Sequence, residues 1–431
     1  MRIDMTGLNR KIAPKTGFVD NISFIDPEKA ELNNGIPVYI FNSEEQDLVK
    51  IEFLFRAGSW YQEKPLVARI TNKMLKEGTR HFTSHEIAEK IDYYGAHLNM
   101  STDKDMGYVS LYTLNKHLEP TLEILAEVIK HPVFPENEFN RIIQNRKQKF
   151  IVSNEKVRFI AKRKFDELIF GSQNPYGKTY EVEDFDKLNT ADLAEFHRLH
   201  YRLSDCRVLV SGKVMNRHVD LLNKFFNGEP VGNSDNHAEP ADNTISSNNR
   251  MFHIVKNDAL QSAIRMGKVM FNKTHPDYTK LKILNTVLGG YFGSRLMTNI
   301  REEKGYTYGI GSALVSLHHS GYFFIASEVG ADVTQDASNE IYHEIRKLQE
   351  EKIPEKELDL VRNYMLGAIL RNLDGAFARS DNFKEILEYG LNYSYYKNFI
   401  EVIRSITAAE LRDLAQKYLD RESLYELRVG K

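Results

Sequence analysis

Cysteine is almost missing from this chain. Cys206 is the single one in 431 residues, so neither an internal disulfide nor a cysteine-based zinc knuckle can form, and any metal site has to be built from histidine and carboxylates. Long apolar runs are missing too: no stretch reaches about 18 consecutive apolar residues, and the opening Met1-Arg2-Ile3-Asp4-Met5-Thr6 has no apolar core of a secretion signal. The expectation is a soluble, cytoplasmic protein, or a periplasmic one if a signal has been trimmed away. Nor is there an excess of either charge. Lys+Arg number 58 and Asp+Glu 60, a formal net charge of -2, which leaves no global field to steer the chain onto nucleic acid or an anionic membrane. Neither is expected as a partner. What is present is 42% hydrophobic residues over a length that accommodates two or three folded units with ample core.

Short β-branched or aromatic runs at 36–40, 49–55, 108–114 and 206–211 read as strands. Segments of helical period alternate with them. Thr83-Ser84-His85-Glu86 has the capping-box pattern, with Ile87 and Ile91 behind it, so a helix is expected to start there. Residues 120–130 and 190–201 read likewise as helices. The polar, turn-rich stretch 227–250 reads as a linker between a first unit, 1–226, and a second, 251–431.

This near-equal division prompts a search for duplication. Pro135-Glu136-Asn137-Glu138-Phe139 matches Pro354-Glu355-Lys356-Glu357-Leu358, Leu188 to Leu193 matches Ser405 to Glu410, and Gly212-Lys213 matches Gly430-Lys431. The separations are 219, 217 and 218 residues, in conserved order along the chain. Two copies of one α+β unit, able to close around a cavity, are expected.

Two further motifs, one per half, carry a family resemblance. The first half holds Phe55-Arg56-Ala57-Gly58-Ser59-Trp60-Tyr61-Gln62-Glu63, then Met74-Leu75-Lys76-Glu77-Gly78-Thr79 and Tyr94-Gly95-Ala96-His97-Leu98. The second holds Leu288-Gly289-Gly290-Tyr291-Phe292-Gly293-Ser294-Arg295-Leu296, followed by Arg301-Glu302-Glu303-Lys304-Gly305-Tyr306-Thr307-Tyr308. Together they resemble the insulinase/pitrilysin metallopeptidase family, in its branch of short two-lobed chains that includes the mitochondrial processing peptidase. The resemblance runs from about Leu32 to the end. It implies an α+β fold of two homologous lobes, each a mixed, mostly antiparallel sheet packed with helices.

The family's chemistry is zinc-dependent peptide hydrolysis through an inverted His-x-x-Glu-His motif and a distal glutamate. Two histidines one helical turn apart can face one metal while the glutamate takes a proton from its water. Here the motif positions are filled by Arg69, Asn72 and Lys73, and the distal glutamate falls near Gln148 or Lys149. An amide does not titrate and so cannot serve as a base, and fixed positive charges repel a dication. No zinc is expected in this chain, and no hydrolysis by the family mechanism when it is alone.

Other metal or cofactor arrangements are weaker. His81 and His85 are four apart, but the cap at Thr83 leaves His81 before the helix, so their imidazoles do not share a face. His197 and His200 lack a third ligand and read as a solvated helix face. The run Gly289 to Gly293 lacks the Gly-Lys-Ser/Thr ending of a phosphate loop. The basic cluster Arg141, Arg146, Lys147, Lys149, Lys156, Arg158, Lys162, Arg163 and Lys164 reads as a solvated helix face rather than a positive chamber wall.

What the resemblance retains is Arg301 and, seven residues later, Tyr308. In the family such a pair reaches into the site, the phenol donating to the oxyanion and the arginine holding a substrate carbonyl. The plain alternative pairs Arg301 with Glu302 or Glu303 and packs Tyr308 in a strand. A chain that keeps this pair without the zinc residues looks like the non-catalytic subunit of a heterodimeric peptidase. Its partner is then a zinc-bearing family member with intact His-x-x-Glu-His, and its ligand an extended or unfolded peptide. The rival expectation is an inert peptide-binding or scaffold homodimer of the same family.

Overall fold

The computed structural model describes residues 21–44, 46–228 and 249–431. Most of the stretch read as a linker therefore lies outside the described residues. Strands β1 (Glu28–Glu31), β2 (Pro37–Asn42), β3 (Leu48–Phe55), β4 (His97–Thr102), β5 (Gly107–Leu114) and β6 (Arg207–Gly212) form one sheet in the order β1-β2-β6-β3-β5-β4. Strands β7 (Met251–Val255), β8 (Gln261–Met270), β9 (Thr307–Ser316), β10 (Gly321–Gly330) and β11 (Tyr425–Gly430) form the other, in the order β7-β11-β8-β10-β9. Apart from β1 the two orders are the same. In each, the last strand of the half pairs parallel with the first (β6 with β2, β11 with β7), and the remaining pairs are antiparallel.

The helical caps repeat as well, and they refine the sequence register. Asn189 caps the helix Thr190–His200 in a capping box with Asp192, and Thr407 caps Ala408–Tyr418 in one with Glu410. The true equivalents are thus Asn189 and Thr407, 218 apart, so the 217-residue match is corrected by one position. The offset of 218 also relates Gly212 to Gly430, each ending its central strand at positive φ, 117° and 149°. A Cβ there would strike the neighbouring strand, at Leu48 in one half and Ser262 in the other.

The two halves are interlocked by their helices. In β3, residues Val49, Ile51, Phe53 and Phe55 point into the core of the first half. The opposite face carries Lys50, Glu52 and Leu54, all buried. That face is covered by the helix Gly375–Leu387 of the second half, which packs on β2 and β6 and contributes Phe383 and Ile386 to a cluster with Phe41, Leu54 and Leu209. Reciprocally, the helix Val157–Phe170 of the first half packs on β8 and β11, joining Phe165 and Ile169 to Ala263, Leu427 and Val429. These helices begin 218 residues apart. Each copy of the unit thus lends its equivalent helix to the other copy's sheet.

This exchange accounts for two charges inside a strand. Lys50 Nζ lies 2.7 Å from Asp381 and 3.2 Å from Glu52, while Lys384 Nζ lies 3.0 Å from Glu52. Burial pushes the Lys50 ammonium pKa down, but Glu52 and Asp381 outweigh it and hold the pKa above its ordinary value. Among the described residues, no helix is long and apolar enough to cross a membrane.

Candidate functional site

The first set of motif positions lies on the helix Val67–Met74. Its apolar stripe buries Val67, Ala68, Ile70 and Met74, leaving Arg69 exposed and Lys73 half-buried. Asn72 is only 2% exposed. Its Nδ2 donates to the Tyr201 hydroxyl at 3.0 Å and to the Tyr108 carbonyl at 3.2 Å. The position that would hold a general base is thus tied into the core as a structural donor.

The region expected to hold the distal position lies on the helix Glu136–Asn154. Lys149 and Gln148 are exposed, whereas Arg146 of the same helix is half-buried, with the charge of Arg69 reaching it. The helix Glu136–Asn154 turns Phe139, Ile142, Ile143 and Phe150 inward. Arg146 falls on that stripe, at three and four residue steps, whereas Lys149 is rotated off it. Burial lowers the pKa of both Lys73 and Arg146, and the charge of Arg69 adds to the effect on Arg146. A dication does not fit this donor set. Protonated lysine and arginine offer no lone pair, and Asn72 supplies at most one neutral amide oxygen. Among the described residues there is no group of three or more His, Cys, Asp or Glu side chains placed to hold a metal ion.

The histidine pairs have other partners. His81 Nδ1 pairs with Glu127 at 3.0 Å and His85 with Glu89 at 3.9 Å, in separate places. His197 and His200 do not form a solvated face, which corrects the sequence reading. The helix Thr190–His200 packs on Val67–Met74, His197 Nε2 meets the Ile129 carbonyl at 2.8 Å, and its ring stacks on Tyr201. Burial lowers the His197 pKa. The glycine-rich stretch is explained by packing: a Cβ on buried Gly289 would stand 2.6 Å from the Ser312 hydroxyl, so glycine lets this helix end lie against β9.

The second set of positions stands on a turn. The helical segment Met297–Glu303 buries Met297 and Ile300, and Gly305, at φ 67°, turns the chain into β9. Arg301 Nε donates to the Tyr308 carbonyl at 3.1 Å, its guanidinium lies 4.8 Å from the Phe292 ring centroid, and its nearest acid is Glu302 at 3.8 Å. Tyr308 is 94% exposed, and its hydroxyl makes no hydrogen bond among the described residues. It does not pack within the sheet. Instead it borders a cleft of ≈ 760 Å³ between β9, β10 and the start of the helix Val157–Phe170. No hydrogen bond or ion pair among the described residues joins this pair to Arg69 or Lys73.

The basic helix face divides in two. Arg141 pairs with Glu77 and Glu138, Lys147 with Asp186, and Arg163 and Lys164 with Glu181. Arg141 and Lys147 are paired at the surface, whereas the Arg163 side chain, 10% exposed, lies over the Phe150, Phe159 and Tyr180 rings, which departs from a solvated face. Arg158 and Lys162 instead line the cleft beside Tyr308, and Arg265 joins them from β8. Sequence reasoning missed Arg265, since a lone arginine in a strand carries no motif.

Comparison with known proteins agrees with this geometry. Residues 38–165 match the family described as Insulinase (Peptidase family M16), and residues 187–365 match Peptidase M16 inactive domain. The chain is 25% identical over 405 residues to an uncharacterized zinc protease of Rickettsia felis, covering 90% of this chain and 94% of that protein. It is 22% identical over 392 residues to the non-peptidase homolog YmxG of Helicobacter pylori, covering 88% and 89%. The fold matches the crystal structure of a peptidase M16 inactive domain from Pseudomonas fluorescens, with a TM-score of 0.83 at 22% identity over 94% of this chain and 98% of that one.

Proposed function

Because the chain belongs to the insulinase (peptidase M16) family and is of its inactive, pseudopeptidase type, we propose that it is the site-completing subunit of a two-chain zinc peptidase. The observation that carries this reading is the exposure of Tyr308. A tyrosine 94% exposed, with a free hydroxyl beside an arginine anchored to its own carbonyl, contributes little to folding and is available to a second chain. In this reading the partner, a relative with intact His-x-x-Glu-His, supplies the metal and the general base. This chain adds a neutral donor for the developing oxyanion, Tyr308, and a fixed positive fork for a substrate carbonyl, Arg301. Extended peptide is the substrate class, since main-chain pairing with an edge strand, such as the exposed start of β9 at Tyr308 and Gly309, tolerates varied side chains.

Co-expression with a zinc-bearing relative from the same genome tests it. A complex of the two chains is expected, and Tyr308→Phe is expected to slow its peptide cleavage on the order of a hundredfold or more. Unchanged cleavage by the Tyr308→Phe complex would remove the role. The second reading, an inert peptide-binding or scaffold homodimer, is supported by the description of the Helicobacter relative as a non-peptidase. It predicts self-association and no cleavage in any pairing.

A further inference from the structure

The cleft beside Tyr308 has a chemical bias of its own. Its lining includes three cations, Arg158, Lys162 and Arg265, and one carboxylate, Glu328. Arg158 and Lys162 stand at the exposed end of the helix Val157–Phe170, whereas Arg265 rises from the middle of β8 and is half-buried. Its guanidinium lies 5.5 Å from the Phe324 ring centroid, yet it makes no hydrogen bond or ion pair among the described residues. None of the five donors of this half-buried arginine meets a protein acceptor among the described residues. The two acids whose charge reaches it are engaged elsewhere: Glu328 faces Arg158 at 3.8 Å, and Asp166 is held by Lys104 at 2.8 Å. Burial lowers the Arg265 pKa, so the site keeps a cation at a cost that an incoming anion offsets.

The floor of the cleft argues for an extended ligand. Arg265 pairs across the sheet with Ala326, and Ala326 pairs with Gly311 on β9. This row ends in two residues almost without side chains, so little rises from the sheet between Arg265 and the edge strand β9, where the Gly289 carbonyl stands beside Gly311. A backbone can lie over such a row while one of its side chains turns toward the arginine.

We propose that this cleft is a recognition site for a carboxylate carried by an extended peptide, with Arg265 as its anchor and Arg158 and Lys162 as its positive rim. The peptide nature of the ligand rests on the function proposed above; the preference for a carboxylate rests on the cleft alone.

The test uses the full chain without any partner, and fluorescence anisotropy of labelled ten-residue peptides of Gly, Ala and Ser. One peptide carries a central Glu and an amidated end, one a central Gln and an amidated end, and one a central Gln and a free terminal carboxylate. At least one carboxylate peptide is expected to bind about tenfold or more tightly than the amidated Gln peptide, as a charge-assisted hydrogen bond implies. Whichever carboxylate gives the gain identifies its source, a side chain or a chain end. Arg265→Met is expected to abolish the preference, and Arg265→Lys, which keeps charge without the fork, to reduce it. Equal binding of all three peptides, or an undiminished preference in both variants, overturns the proposal. Since no zinc-bearing chain is present, such a failure leaves the subunit reading standing, and a failure of the paired chains to cleave leaves the peptide preference measurable.

Discussion

Arg301 Nε donates to the backbone carbonyl of Tyr308 at 3.1 Å, which sets a guanidinium and an exposed phenol on one turn before any partner arrives. The contact uses one guanidinium nitrogen and leaves the terminal pair with Glu302, at 3.8 Å, as an ionic neighbour, a division that the single nitrogen of lysine cannot reproduce. In the complex with a zinc-bearing partner, Arg301→Lys is therefore expected to lose most of the activity that Arg301→Ala loses. Steady-state cleavage rates of the two variants check this. Tyr308→Phe should leave the melting temperature unchanged while lowering activity, because its hydroxyl has no hydrogen-bond partner among the described residues.

Asn72 has the opposite character. It is buried and donates to Tyr201 and to the Tyr108 carbonyl. Asn72→Leu, close in volume, leaves the Tyr108 carbonyl without that donor, and is expected to cost about 1–3 kcal/mol in urea unfolding. Below its melting point the variant should still support the partner's activity fully. Loss of activity at full folding would show that Asn72 acts in the reaction rather than in the core.

Much of this was legible in the sequence where a local rule acts alone. The Thr83 and Glu86 capping box, the strands flanking Ile51 and Val109, and the duplication near 218 residues follow from caps, alternation and repetition. Arg146, on the stripe of Phe139, Ile143 and Phe150, was not singled out beside Gln148 and Lys149, although that stripe marks it as the more inward-facing cation. His197 could not be placed from its own helix, because the Ile129 carbonyl it meets belongs to another. Arg265 and the exchange of helices were illegible for the same reason: both depend on contacts between the halves, which no local periodicity encodes.

The exchanged helices predict that the halves unfold together. Lys50 and Glu52 are 2% and 4% exposed and are closed over by Asp381 and Lys384 of the other half. Glu52→Leu leaves Lys50 with only the more exposed Asp381, and is expected to cost up to about 3 kcal/mol. Denaturation followed separately by probes in each half should show one shared transition, shifted as a whole. Loss of stability confined to the first half would contradict the interlock.

Lys273 gives a pH dependence. It borders a cavity of ≈ 310 Å³ between the halves, donates to the Glu385 carbonyl at 2.6 Å, and burial lowers its pKa from 10.5 to about 8, against the opposing charge of Glu385. Since the folded pKa is below the unfolded one, the folded chain binds fewer protons between these values, and this group adds stability as pH rises from about 8 to about 10.5. Lys273→Met removes that contribution. Its stability relative to the wild type is expected to be most favourable below pH 8 and to fall steadily toward pH 10.5, read from denaturant midpoints at each pH. A difference independent of pH would show that Lys273 titrates normally.

The central claim, that this chain completes another chain's site and holds none itself, is tested most directly by peptide cleavage with an equimolar zinc-bearing relative, beside each chain alone and with chelator. The account predicts no cleavage by this chain alone and a mixture far faster than the partner alone, abolished by chelator. Metal-dependent cleavage by this chain alone, or a mixture no faster than its partner, would contradict it.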